Sequence, residues 1–368
     1  MPGLPFFDDS TPQPIHAPAI EISFSGGSDN GGFGGMVDAA ASMLGGPSAL
    51  SWADHLISIS LELGFAPSVD SVDLLISGRE GAHEAALGDQ AVIAMGSADH
   101  LQDLFTGTVV AIEKRGDGTC RYQFSNGSYD LAHTRINQSV NEMSVQDAIS
   151  FATDQLSLSL NADVSTSDDT LPQVVFDHTA SLWDHITYLA GLRGLNLWFD
   201  ADNSLQLADQ LEQGESVASF TWGEDLLEAN IWQRAAHSGA ITAFGGGRIV
   251  GDFTLRKQAT PNRAEQGDGT PQRFYRDGVL QSPQDLTTRA GAATLFAQRQ
   301  TALSEVMVSG SSLLRPGKVI ELTNLQEGSD GNYLIHHAHH SFNHTEGWRT
   351  RLTISSTSAA SSGLGGLL

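Results

Sequence analysis

Apolar and polar residues alternate one by one over many short stretches of this chain, which is the period of a strand buried on one face. Ile20, Ile22 and Phe24 alternate with Glu21 and Ser23, and Ile57, Ile59, Leu61 and Leu63 repeat the pattern. Further β signals follow at residues 72–76, 91–96 and 104–112. Asp117-Gly118 supplies a tight turn into a strand over 119–124, and Asn126-Gly127 reads as another turn. Short strands joined by local turns predict an antiparallel sheet that curls on itself rather than a run of βαβ crossovers. Curling would also hide the sheet edges. Between the first two strands, the pairs Gly26-Gly27, Gly31-Gly32, Gly34-Gly35 and Gly45-Gly46 predict an extended arm with a mobile insertion, because so much glycine makes a fixed backbone expensive.

After Asn141 the period changes. Val145, Ala148, Ile149, Ala152 and Leu156 recur at helical spacing, predicting a helix over 144–160 capped by Ser144 with Asp147 in its first turn. A strand at 174–176 follows Pro172. Leu182, Trp183, Ile186, Leu189 and Ala190 predict a second helix that starts at Ser181 and ends at Gly191 to Gly194. Strands at 195–200 and 205–207 complete a small α/β module. Beyond Gln213, alternation returns with Val217, Phe220 and Trp222. Residues 257–270 are polar and read as a loop or insertion, 286–306 as a helix, and 317–322, 333–335 and 350–354 as strands. The predicted class is mainly β with α/β elements: two β-barrel-like domains and an intervening small α/β module. The first barrel-like domain covers 1–140 with the Gly-rich insertion at 25–50, the module 141–212, the second barrel-like domain 213–354, and a flexible tail 355–368.

Charge narrows the functional classes. Among 368 residues, 43 are acidic and 19 basic, a net charge of −24. Such a surface repels a phosphate backbone, so no nucleic-acid binding is expected. The single cysteine, Cys120, excludes an intramolecular disulfide and any four-cysteine metal site. No signal-peptide pattern or membrane anchor is evident, and no segment reaches the length of an apolar bilayer span.

The histidine run His336, His337, His339, His340 and His344 is the obvious chemical temptation. On a strand, His337 and His339 share one face and His336 and His340 the other, so the five cannot converge on one ion. The run also lacks the one-turn helical spacing of a zinc protease. The acidic pairs Asp8-Asp9, Asp168-Asp169 and Glu224-Asp225 are adjacent rather than opposed across a cleft, and Asp177-His178 has no serine in a nucleophile elbow. No phosphate loop or dinucleotide fingerprint is present. Catalytic residues, metal ligands and cofactors are therefore all assigned as none, and an enzyme is not expected. Trp183, Trp198 and Trp222 sit in contexts that favour packing over a sugar-binding platform.

Several pieces occur in a telling order: Phe105-Thr106-Gly107, the helix from Ser144, the helix from Ser181 followed by Gly194 and Trp198-Phe199-Asp200, then Leu314 to Lys318, Gly331-Asn332-Tyr333, His339 and Gly347-Trp348-Arg349-Thr350. Over residues 20–354 this order resembles the late-control-D or baseplate hub family of contractile phage tails and contractile injection systems, which is related to the N-terminal hub region of VgrG-like proteins. The resemblance implies a structural homotrimer at the centre of a baseplate, adapting a trimeric spike to a hexameric inner tube. It implies a separate spike protein, an inner tube initiator or tube protein and other baseplate proteins as partners, with assembly in the cytoplasm and residence in a phage tail or injection particle. Leu325, Gly331, His340, His344 and Trp348 are the expected spike contacts, with Trp348 either anchoring the interface or packing beneath it. The alternatives are a tail-associated cell-wall or polysaccharide hydrolase and a carbohydrate-binding module.

Overall fold

The computed structural model describes residues 18–25, 55–78, 85–97, 100–165, 170–209, 211, 214–232, 240–245, 263–267, 272–280, 282–301, 303–326 and 328–357. The Gly-rich insertion, most of the expected tail and the pairs Asp8-Asp9 and Asp168-Asp169 lie outside the described residues. The chain is mainly β with α/β elements.

Six strands open the fold: β1 (Ala19–Ser25), β2 (Leu56–Gly64), β3 (Ser71–Ser77), β4 (Gln90–Ser97), β5 (His100–Lys114) and β6 (Thr119–Ser125), side by side in the order 1-4-5-6-3-2 and antiparallel throughout. Their alternation delivers Ile59, Leu61, Leu63, Val72, Leu74, Ile76, Ile93, Phe105, Tyr122 and Phe124 to one core. Cys120 packs at its margin. Register shifts at Ile93/Ala94 and Val109/Ala111 break the ladder locally, and bulges of this kind increase strand twist and bend.

A second β region comprises β12 (Ser216–Thr221), β13 (Leu226–Asn230), β17 (Ser304–Ser309), β18 (Val319–Thr323), β19 (Gly331–Asn343) and β20 (Gly347–Ser356). Phe220, Val306, Val308, Ile320, Leu322, Ile335, Leu352 and Ile354 form its core. The two regions are not separate sheets. β19 pairs antiparallel with β2, from His337 opposite Gly64 to Asn343 opposite Ser58, so one twelve-stranded sheet runs through both.

The α/β module contains α1 (Gly127–His133), β7 (Gln138–Met143), α2 (Val145–Asp154), β8 (Leu160–Asp163), β9 (Leu171–Phe176), α3 (Leu182–Arg193), β10 (Asn196–Phe199) and β11 (Leu205–Ala208). Its core continues into later sequence, because Ile241, Ala243, Leu286 and Ala290 join Ile149, Leu182, Ile186, Leu197 and Phe199 in one cluster. These later residues come from β14 (Ala240–Gly245) and α4 (Pro283–Thr301), with β15 (Arg263–Gly267) and β16 (Gln272–Asp277) flanking β14. Residues of β14 and α4 thus share one core with the α/β module.

Four local expectations are corrected. Asn126-Gly127 begins a helix rather than a turn: the Asn126 side chain accepts from Ser128 N and caps α1. The helix from Ser144 stops at Asp154, where Leu158 N returns to Thr153 O and Ser157 adopts a φ of 56°. α4 ends at Thr301, and Val306 belongs to β17, opposite Leu352. The polar stretch expected as a loop contains β15, which pairs with β14 despite its exposed side chains. The second predicted helix starts and stops as its sequence indicates. Ser181 Oγ accepts from Asp184 N, the Asp184 carboxylate accepts from Ser181 N, and Gly194 closes α3 at a φ of 73°.

Candidate assembly interface

The five expected contact residues do not form one patch. Leu325 lies in the loop between β18 and β19, with its N–H on Asp330 Oδ1 at 2.7 Å, and Gly331 opens β19 at a φ of 146°. His344 and Trp348 sit at the opposite end of β19, in the turn to β20 and just beyond it. Thirteen residues of β-strand separate these ends by roughly 40 Å.

Two of the five are packing residues. His340 is 1% exposed, and its Nε2 donates to Leu314 O at 2.9 Å because a carbonyl can only accept. This fixes the neutral tautomer, whose Nδ1 then accepts from Thr350 Oγ1 at 2.9 Å. Burial pushes its pKa down to about 3. Both ring nitrogens of His340 are thus used inside the fold. Trp348 packs against the first β core, with its ring directly over Gly310 and 6.1 Å from the His340 ring. It is half-buried there, so part of the ring stays accessible. His344 is exposed, and its Nε2 donates to Leu56 O at 2.8 Å, tying the β19–β20 turn to the start of β2.

The rest of the histidine run lines the seam between the β regions. His337 and His339 share a face as expected, and both turn toward Glu62 on β2, at 2.9 and 3.7 Å. The hydrogen bond from His337 holds the Glu62 carboxyl below its ordinary pKa despite partial burial. His339 Nε2 also lies 2.8 Å from Ser60 Oγ. His336 occupies a bulge, bonds Ser355 Oγ at 2.7 Å and meets the Phe65 ring edge-on, and burial lowers its pKa to about 4. Among the described residues, no group of three or more His, Cys, Asp or Glu is arranged to hold a metal ion.

A buried polar junction that the sequence did not reveal fastens the first β region to the α/β module. Asp70, 2% exposed, accepts from Gly64 N and Asn126 Nδ2, both at 2.9 Å, while its own N–H donates to Ser128 Oγ at 3.0 Å. Burial raises its pKa to about 7 against these hydrogen bonds. Arg315 approaches the same junction, donating to Asp103 O at 3.2 Å and pairing with Asp200 at 3.2 Å. Two of the acidic residues singled out in the sequence shape turns: Asp177 Oδ1 accepts from Thr179 N, and Asp225 Oδ1 from Thr221 N.

The surface that remains available lies elsewhere. Among the described residues β1 is hydrogen-bonded only to β4 and β12 only to β18, while β13 pairs with β17 and is joined by a single bridge from Leu226 to Trp222, just beyond β12, so the large sheet keeps open edges at β1 and along β12 and β13. Next to β13, Trp222, Leu227 and Trp232 are 44%, 43% and 53% exposed, and a groove lined by both tryptophans and Leu325 runs beside them. Trp183 is instead buried, donating to Pro67 O at 3.0 Å, and Trp198 packs on Phe65 and Gly317. No described helix is long and apolar enough to cross a membrane.

This architecture is shared with tail proteins. A tail protein from Neisseria meningitidis aligns with a TM-score of 0.67 at 16% identity, over 93% of this chain and 97% of that one. The 43 kDa tail protein of prophage MuSo2 from Shewanella oneidensis aligns with a TM-score of 0.66 at 12% identity, over 93% and 99%. An Escherichia coli component of the type VI secretion system, itself described as structurally similar to bacteriophage T4 tail proteins, aligns with a TM-score of 0.55 at 12% identity, over 82% and 73%. The chain thus has a tail-protein fold. By sequence it belongs to the family described as the Alg8 N-terminal domain, whose model matches residues 82–344. No curated protein matches it.

Proposed function

We propose that the chain is a structural subunit of a phage-tail-like baseplate, acting as a homotrimeric hub between a separate spike and the inner tube, and that it performs no covalent chemistry. The observation that carries this reading is the large sheet, which keeps one open edge at β1 and another along β12 and β13, joined to each other by a single bridge. Two different edges on one subunit suit head-to-tail association, which closes into a ring when the rotation between copies is right. Exposed Trp222, Leu227 and Trp232 beside β13 add apolar surface of the kind that assembly buries. The tail-protein fold, aligned almost end to end, supports the same reading.

Native mass measurement of the purified chain, alone and co-expressed with its spike, tests it. A trimer is expected in at least the co-expressed sample, and Leu227→Lys combined with Trp232→Glu should return it to monomer with an unchanged circular dichroism spectrum. Folded monomer in both preparations of the wild type would overturn the hub.

A further inference from the structure

A groove of about 560 Å³ opens between α3 and α4. Its walls are held rigidly. Arg193 of α3 and Asp285 of α4 form an ion pair at 2.7 Å with side chains 7% and 5% exposed, and Arg289 donates to Gly191 O at 2.6 Å. Pre-formed walls of this kind favour recognition, because little ordering remains to be done on binding.

The lining has an unusual chemistry for this chain. The lips are apolar and exposed, with Tyr188 at 44% and Phe296 at 59%, and Phe65 and Leu303 lie further in. Arg289 and Arg299 also line it, yet no described lining residue is Asp or Glu, although acidic residues outnumber basic ones 43 to 19. Arg289 meets a carbonyl and lies 4.8 Å from the centre of the Tyr275 ring, neither of which neutralises its charge. Thr187 Oγ1, also in the lining, is buried and has no hydrogen-bond partner among the described residues. Gly191 completes the picture: a Cβ at this helical position would meet nothing within 4 Å. The space above it is open although the helix there tolerates a side chain.

We propose that this groove docks a peptide segment of a partner protein in which an aromatic or branched apolar side chain stands within a few residues of a carboxylate. The apolar side chain fills the space over Gly191 between Phe65 and Phe296, and the carboxylate meets Arg289, a charge-assisted contact for which the guanidinium is suited. Charge complementarity selects this occupant. A neutral apolar segment would leave Arg289 without a carboxylate, and a basic one would be repelled.

The groove is testable without knowledge of the partner and independently of trimer formation. A random peptide library of about twelve residues is selected against the full chain, and the enriched peptides are titrated against wild type, Gly191→Leu and Arg289→Gln, with thermal unfolding of each variant measured alongside. The expected motif joins Asp or Glu to Phe, Trp or Leu, and its affinity falls by about tenfold or more in Gly191→Leu, which fills the groove and leaves the midpoint of unfolding unchanged or higher. Arg289→Gln should weaken the acidic peptide and leave its Asp→Asn or Glu→Gln counterpart unaffected. No enrichment, a motif without an acid, or equal binding to Gly191→Leu would overturn the proposal. Gly191→Leu should assemble like wild type, so loss of the trimer and loss of the peptide are separate results.

Discussion

His340→Gln should flatten the rise of stability with pH across the mildly acidic range. Two buried histidines stay neutral in the fold, with pKa values lowered to about 3 for His340 and about 4 for His336, against an ordinary 6.5. Between those limits the unfolded chain binds a proton at each and the native chain does not, so stability grows as pH rises. Asp70 works in the opposite sense. Its native pKa is about 7 against an ordinary 3.8, so the native chain holds the extra proton, and that contribution is full below about pH 4 and lost as pH rises through 7. In the window from about pH 4.5 to 6, each group contributes a slope of about 1.4 kcal/mol per pH unit, two positive and one negative. Relative to the wild-type slope, His340→Gln should lower it by about 1.4 kcal/mol per pH unit and Asp70→Asn should raise it by about 1.4 kcal/mol per pH unit. Carboxylates with lowered pKa values, such as Glu62 and Asp285, act mainly below this window. Urea unfolding followed by tryptophan fluorescence at a series of pH values measures the slopes. Coincident slopes for wild type and His340→Gln would refute the placement of that ring as a neutral group inside the fold.

Gly310→Ala should cost about 1–3 kcal/mol, because the new methyl would fall 2.2 Å from ring atoms of Trp348, a bulky side chain already packed in place; equilibrium unfolding reads it, and an unchanged midpoint contradicts the packing. Asp285→Ala removes the carboxylate that meets the buried Arg193 guanidinium and should cost about 3–5 kcal/mol, with hydrogen exchange at α3 and α4 rising together.

Where the chain's local chemistry decided the structure, the sequence was readable. Ser181 with Asp184 at one end and Gly194 at the other specify α3 through contacts only a few residues apart. The alternation in β3, and in β2 from Ile59 onward, identifies their core faces, whereas Ile57 is exposed and Leu56 buried where the β2–β3 register shifts. Local patterns fail where two structures share them. Asn126-Gly127 suits both a hairpin turn and a helix start, and the buried Asp70 carboxylate, reaching Asn126 Nδ2, accompanies the second. β15 carries no apolar alternation at all, and its pairing with β14 defines it as a strand. The candidate interface was least legible. His340 looks like a surface residue in sequence, yet β19 is flanked by β2 and β20, and this residue falls on the face they bury. The partners that decide its fate, Leu314 and Thr350, become neighbours only through tertiary pairing. The β2–β19 contact joins residues as far apart as Ser60 and His339, 279 positions, and no short-range pattern announces it.

That contact determines how the protein carries load. Seven residue pairs lie side by side along the β2–β19 seam, with strands running in opposite directions. A pull along the strand axis therefore loads the rungs together, like a lap joint in shear, and they share the force instead of yielding in turn. A linker between two independent domains would stretch before transmitting anything. Here displacement of one β region is passed directly to the other, so a push arriving at one end of the molecule emerges at the far end with little slack.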